Sequence, residues 1–328
     1  MSSGYSATRY ADDGVEVVRL ADRTHETEVA IAIGAGNMAF ELKVLGRNFL
    51  WFPFASPAEL LAHPRFCGVP FLAPWANRLD GDSYWVNGKQ YELNAGIANF
   101  RRDPNGKPIH GLLNYSRDWT LVSADADGHS AQATSRLSFG EHPNLMAQFP
   151  FAHTITMTYR LADGVLEVET ALRNQADEAL PLAIGYHPYF QLHDAPRDQW
   201  KVHLAARDHL VLNGQLIPTG ERNPVAFGDL HLLEQEQLDD VFSGLIRGAD
   251  GRARFWVQGL RERVTVVYGP KYLVAVVFAP NGKEFICFEP MAAVTNAFNL
   301  AHAGVYRDLQ SVPPGGEWRE SYWIEIVT

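Results

Sequence analysis

Apolar and polar residues trade places along short runs of this chain, and turn residues separate the runs. Residues 154–160 and 166–172 alternate with period two, as strands do when one face packs and the other meets water. Similar runs rich in Val, Ile, Thr, Tyr, Phe and Trp predict strands at 14–20, 28–33, 131–139, 153–161, 165–174, 254–257, 263–268, 273–278 and 317–327. Helical periodicity is confined to Pro57–Ala62 and to residues 232–238.

Turn chemistry agrees with the strands. Asn87-Gly88 sits between Tyr84-Trp85-Val86 and Tyr91-Glu92-Leu93, and Asp163-Gly164 sits between two alternating runs. Asn213-Gly214, Asp250-Gly251 and Asn281-Gly282 are further pairs of this kind. Asn-Gly and Asp-Gly tolerate the positive φ angles that tight hairpins demand. The pattern predicts an all-β chain folded as a large antiparallel β-sandwich or barrel. No Ser/Gly tract, charge block or fixed-period repeat divides it, so residues 1–328 are expected to form one domain.

Composition narrows the partners. A net charge of -10 without a Lys/Arg-rich run disfavours nucleic acid and anionic membranes. No apolar stretch is long enough for a spanning helix, and the polar start Met1-Ser2-Ser3-Gly4-Tyr5 is unlike a secretory signal. The two cysteines, Cys67 and Cys287, form neither a disulfide framework nor a zinc motif, which points to a reducing, cytoplasmic home. Oligomeric state is not read from the chain.

Two motifs point elsewhere and do not carry the argument. Gly34-Ala35-Gly36-Asn37-Met38-Ala39 fits a dinucleotide fingerprint, but a strand-like run, Phe40-Glu41-Leu42-Lys43-Val44, follows where a helix is required. It is expected to be a turn. The chain has 12 histidines, yet His63, His142, His203, His209, His231 and His302 show no metal-ligand spacing, so neither metal nor cofactor is expected.

Four segments set ionisable groups inside apolar or aromatic surroundings. Arg78 ends the Pro- and aromatic-rich stretch Gly68–Asn77, where a guanidinium offers several fixed donors to hydroxyl groups. His110 precedes Gly111, which permits close backbone approach. His187 stands among Tyr186, Tyr189 and Phe190, whose faces suit sugar C–H surfaces, and imidazole exchanges protons near neutral pH. Glu289 follows Phe285 and Cys287 on one strand face, and desolvation there makes a carboxylate a better base.

In this order the segments resemble the aldose 1-epimerase (galactose mutarotase) family. Asn77-Arg78 is similar to its Asn-Arg, His110-Gly111 to its His-Gly, and His187-Pro188-Tyr189-Phe190-Gln191-Leu192 to its His-x-Tyr-Phe-Asn-Leu. Leu216-Ile217-Pro218-Thr219-Gly220-Glu221, Asp239-Asp240-Val241-Phe242, Glu289-Pro290 with Asn296-Ala297-Phe298-Asn299, and Val312-Pro313-Pro314-Gly315 resemble its later motifs. The resemblance runs from about Gly34 to the C-terminus. Tyr186 replaces a frequent Asn, Pro188 replaces Ser or Thr, and Met291-Ala292-Ala293 is more apolar than in the galactose enzyme.

The resemblance implies a galactose mutarotase-like sandwich and an isomerase acting on a free aldohexose. Glu289 would be the general base, starting deprotonated, and His187 the general acid, starting protonated. His110 would assist, while Arg78, Asp239 and Asn77 would bind the sugar. Asp239 is preferred to Asp240 because it stands three residues before Phe242. Alternatives are a phosphorylated or otherwise charged hexose, suggested by Arg101, Arg102 and Lys107, and a non-catalytic carbohydrate-binding protein. A glycoside hydrolase would need two carboxylates flanking a bond and would leave both histidines unexplained.

Overall fold

The computed structural model describes residues 4–97, 100–226, 231–234 and 236–328. Every strand ladder among them is antiparallel, and the fold is a β-sandwich. The larger sheet has nine strands. Its centre is Arg263–Tyr268, Glu317–Val327, Val165–Asn174 and His153–Ala162. The opposing sheet runs Pro218–Pro224, Ala206–Leu212, Leu238–Leu245, Val274–Ala279, Ile286–Met291, Gly185–Tyr186 and Phe71–Leu72, with Tyr189–Phe190 also paired to Ile286–Met291. A five-stranded sheet from Tyr5 to Asn48 begins the chain.

The alternating runs behave as their pattern requires. Along His153–Ala162, Ile155, Met157, Tyr159 and Leu161 are buried while the threonines between them are half-buried. Asp13-Gly14, Asn87-Gly88 and Asp163-Gly164 all have two consecutive positive φ angles, the geometry that matches hairpin twist. One hydrophobic cluster extends from Tyr5 to Ile324. Within it Phe255 of the larger sheet meets Phe288 of the opposing sheet, ring centres 6.3 Å apart. Strand alternation therefore turns Glu289, next to Phe288, away from the inter-sheet core.

The turn expected of Gly34–Ala39 is present over residues 33–37, and Met38 and Ala39 already belong to the following strand. The turn joins the paired strands Thr27–Ala32 and Met38–Val44, and a Cβ on Gly36 would lie 2.9 Å from the Tyr115 amide. Pro57–Ala62 is helical, with Pro at its start and the Ser56 side chain accepting from the Glu59 amide. The described residues of 232–238 form no helix. His231–Leu232 and Leu238–Leu245 are strands, and Gln235 between them lies outside the described residues. The apolar spacing there serves strand ends packed on the core: Leu233 and Leu238 are both buried. No described helix is long and apolar enough to cross a membrane.

Candidate active site

Sheet register brings Glu289 and His187 together. Gly185 pairs with Met291 and Tyr189 pairs with Cys287, so the two pairings bracket His187 and Glu289 and set them at one level. His187 Nε2 lies 3.2 Å from Glu289 Oε1. Both side chains are buried, Glu289 at 1% exposure and His187 at 6%. The His187 backbone amide donates to the Pro70 carbonyl, which ties the histidine to the Pro-rich stretch.

Asp239 reaches the same sheet face from two strands away. It pairs with Phe278, and Val241, two residues on, pairs with Val276, the partner of Glu289. Asp240 points the other way, its carboxylate 2.8 Å from His209 Nε2. Of the two neighbours it is thus Asp239 that faces the site.

The loops over this face place the rest. His110 and Gly111 both have left-handed φ, 63° and 68°. A Cβ on Gly111 would lie 2.1 Å from the Ala73 carbonyl oxygen, so only glycine fits after the histidine. The His110 amide donates to the Asn77 carbonyl, and Asn114 Nδ2 donates to the His110 carbonyl. The imidazoles of His110 and His187 meet edge to face, centres 5.3 Å apart.

Arg78 is held on three sides. Its Nε donates to Asp103 Oδ2 at 2.6 Å, its Nη1 donates to Asn77 Oδ1 at 3.0 Å, and its Nη2 lies 3.7 Å from Asp239 Oδ2. Asn77 thus orients the guanidinium through its side-chain oxygen. The Asn296 amide donates to the Arg78 carbonyl, and the Asn296 and Asn299 side chains bind the backbone of Asp80, Ser83 and Trp85. The structure therefore gathers all six expected residues, Glu289, His187, His110, Arg78, Asp239 and Asn77, around one face of the sheet.

Three residues were missing from the sequence reading. Asp103 anchors Arg78 from 25 positions away. Its other oxygen accepts from the Asn105 and Lys107 amides, a local turn that Asp103-Pro104-Asn105-Gly106 suggests, although nothing in that motif names its distant partner. Phe66 and Phe278 wall the histidines. Phe66 lies 4.9 Å from the His110 ring and 6.1 Å from the His187 ring, and Phe278 lies 5.8 Å from His187.

Burial dominates the acid–base balance. It pushes Glu289 well above the ordinary carboxyl range, helped by the charge of Asp239 and opposed by Arg78. It pushes His187 down to about 3, with Arg78 adding to the effect, and His110 well below 6.5, with His187, Arg78 and Arg101 adding. Asp239 is also raised by burial, against the pull of Arg78. The expected resting pair, Glu289 charged and His187 protonated, is thus displaced toward neutral forms. Each group is starved of hydrogen bonds: Glu289 Oε2, His187 Nδ1 and His110 Nδ1 have no partner among the described residues. Nor do those residues gather three or more His, Cys, Asp or Glu side chains as a metal site.

A buried carboxylate, two imidazoles and a held guanidinium on one face of a sandwich suit acid–base chemistry on a hydroxyl-bearing substrate. Residues 17–325 match the aldose 1-epimerase family, and the chain belongs to it. It is accordingly a sugar epimerase, an isomerase of the mutarotase class. The uncharacterized protein YihR of Escherichia coli is 27% identical over 293 residues, covering 87% of this chain and 86% of the relative. A galactose mutarotase-like protein from Clostridium acetobutylicum superposes with a TM-score of 0.88 at 19% identity, covering 98% of each chain. Galactose 1-epimerase from Lactobacillus acidophilus superposes with a TM-score of 0.76 at 14% identity, covering 99% of each. At such identities the two structures speak for the fold alone.

Proposed function

We propose that this protein interconverts the α and β anomers of an aldohexopyranose unsubstituted at C1, with Glu289 and His187 as the proton-transfer pair. The supporting observation is their 3.2 Å approach in a buried, aromatic-walled site. Ring opening removes the C1 hydroxyl proton, breaks the C1–O5 bond and protonates O5. Rotation about C1–C2 and the reverse transfers close the ring on the other face. The reaction needs one deprotonated and one protonated group at the same moment.

Burial favours the neutral pair, so a single proton sits between Glu289 Oε1 and His187 Nε2. Sugar hydroxyls arriving at the unpartnered Glu289 Oε2 supply hydrogen bonds to the carboxylate. With Arg78 nearby, they draw the pair to the form with Glu289 charged and His187 protonated. In that form Glu289 is the base toward the C1 hydroxyl and His187 the acid toward O5. His110 serves as a second donor or acceptor at the same end of the sugar. Arg78 and Asp239 hold hydroxyls, with Asn77 and Asp103 keeping Arg78 in place. The whole chain acts as one domain, supported by its continuous core, and works in a reducing cytoplasm, supported by the unpaired thiols of Cys67 and Cys287.

Optical rotation of freshly dissolved α-D-glucose and α-D-galactose tests the proposal. The protein is expected to speed the approach to the same final rotation. Full activity in Glu289→Gln, or no acceleration with any hexose, would sink it.

A further inference from the structure

Four cations stand on the loop segments around His110. Arg78, Arg101, Arg102 and Lys107 lie on the loops over the site, with Asp80, Asp82 and Asp103 among them. Lys107 pairs with Asp80 at 2.5 Å, Arg102 holds both oxygens of Asp82 at 2.7 and 2.8 Å, and Arg78 takes Asp103. Arg101 is left over: no carboxylate pairs with it and no hydrogen-bond acceptor meets its guanidinium among the described residues.

Arg101 is not a solvated surface arginine. It is half-buried, its guanidinium carbon 4.8 Å from the Tyr115 ring centre and 5.6 Å from that of Phe66. Aromatic faces hold a guanidinium by its plane and leave its edge donors free. Phe66 is the ring that touches both His110 and His187, so Arg101 stands one aromatic ring away from the proton-transfer pair. The Ile109 amide donates to the Arg101 carbonyl, which ties the backbone of Arg101 to the segment bearing His110.

We propose that Arg101 is a specificity residue, and that the substrate is an aldohexose carrying an anionic group on C6, a phosphate or a carboxylate. This rests on the acid–base reading above. His187 serves the ring oxygen, and C6 hangs from C5, the ring carbon bonded to that oxygen. A charge on C6 is therefore carried toward the histidine side of the site, where Arg101 waits with its edge donors free. A planar fork of N–H groups suits either a phosphate or a carboxylate. The chain's overall negative charge does not help an anion approach, so its recognition depends on the unpaired guanidinium of Arg101 itself.

NMR saturation transfer between anomers at equilibrium, against enzyme-free controls, tests this on glucose, glucose 6-phosphate and glucuronate. At least one acid should exceed glucose in kcat/KM by roughly ten- to hundredfold, the range of hydrogen bonds to charged groups. Arg101→Gln should erase that advantage mainly through KM, and Arg101→Lys should restore part of it. An advantage for phosphate alone, or for glucuronate alone, assigns the anion. Equal kcat/KM for glucose and both acids, or an advantage intact in Arg101→Gln, overturns the assignment of Arg101 and leaves the mutarotase reading standing. Exchange of none of the three sugars overturns the mutarotase reading itself.

Discussion

Two buried pairs of opposite charge type lie close together on one face, and they are built differently. Arg78 and Asp103 are well partnered: the guanidinium donates to Asp103 and Asn77 and lies near Asp239, and the Asp103 carboxylate also accepts two backbone amides. Burial pushes Asp103 up, but the Arg78 hydrogen bond and those amides outweigh it, and its pKa is lowered. His187 and Glu289 are starved: each has the other at 3.2 Å and an outer atom with no partner. Burial wins there and both drift toward neutrality. Ample hydrogen bonding fixes a charge and gives a clamp. Incomplete hydrogen bonding leaves a proton movable, as the proposed acid–base roles require.

Breaking the starved pair should have the largest effect on activity. Glu289→Gln should lower kcat/KM by about 10²–10⁴-fold, the usual worth of general acid–base action. Breaking the well-partnered pair should have the largest effect on stability. Asp103→Ala leaves Arg78 with much of its charge uncompensated, and urea unfolding should register a loss of about 3–5 kcal/mol. Asp103→Asn, which keeps one acceptor, should lose less.

The pH dependence of stability sharpens the contrast. Glu289 has a raised folded pKa, so between its ordinary 4.5 and that higher value the folded state binds more protons than the unfolded chain. Stability therefore falls as pH rises through this window. Glu289→Gln should be more stable than the parent at neutral pH, and the difference should vanish below about pH 4.5. His187 has a lowered folded pKa, about 3 against 6.5. Its contribution is present above 6.5 and is lost as pH falls toward 3, so His187→Asn should flatten that limb of the stability curve. Melting temperatures across pH read both signs. The smallest effect separates the adjacent aspartates. Asp239→Asn should raise KM about two- to tenfold, the worth of one hydrogen bond, while Asp240→Asn, tied to His209, should change KM little.

Much of the sandwich was legible from alternation, because a strand with one wet face writes its burial into every second residue. His153–Ala162 and Val165–Asn174 were read to within a residue. The strand bearing Glu289 is a different case. All six residues of Ile286–Met291 are buried, because loops cover the face that alternation would leave in water. It showed only as an apolar run with a carboxylate inside, and that anomaly was the clue to its chemistry. The leucine spacing at 232–238 misled for a related reason: buried strand ends and a helical turn share it.

The sequence by itself determined the class of fold, the turns and the residue types of the site. Those follow from local rules, since hairpin φ angles select Asn-Gly and Asp-Gly, and pleating selects alternation. Gly111 belongs with them in part, for its positive φ is local, but the Ala73 carbonyl that forbids a side chain there is not. Only the tertiary structure decided which charges were already taken. Asp103 met Arg78, Asp80 met Lys107 and Asp82 met Arg102 across long loops, and Arg101 was left against two aromatic rings. Ion pairing and desolvation depend on distances through space, and no spacing along a chain encodes which cation remains unpaired once the loops have closed.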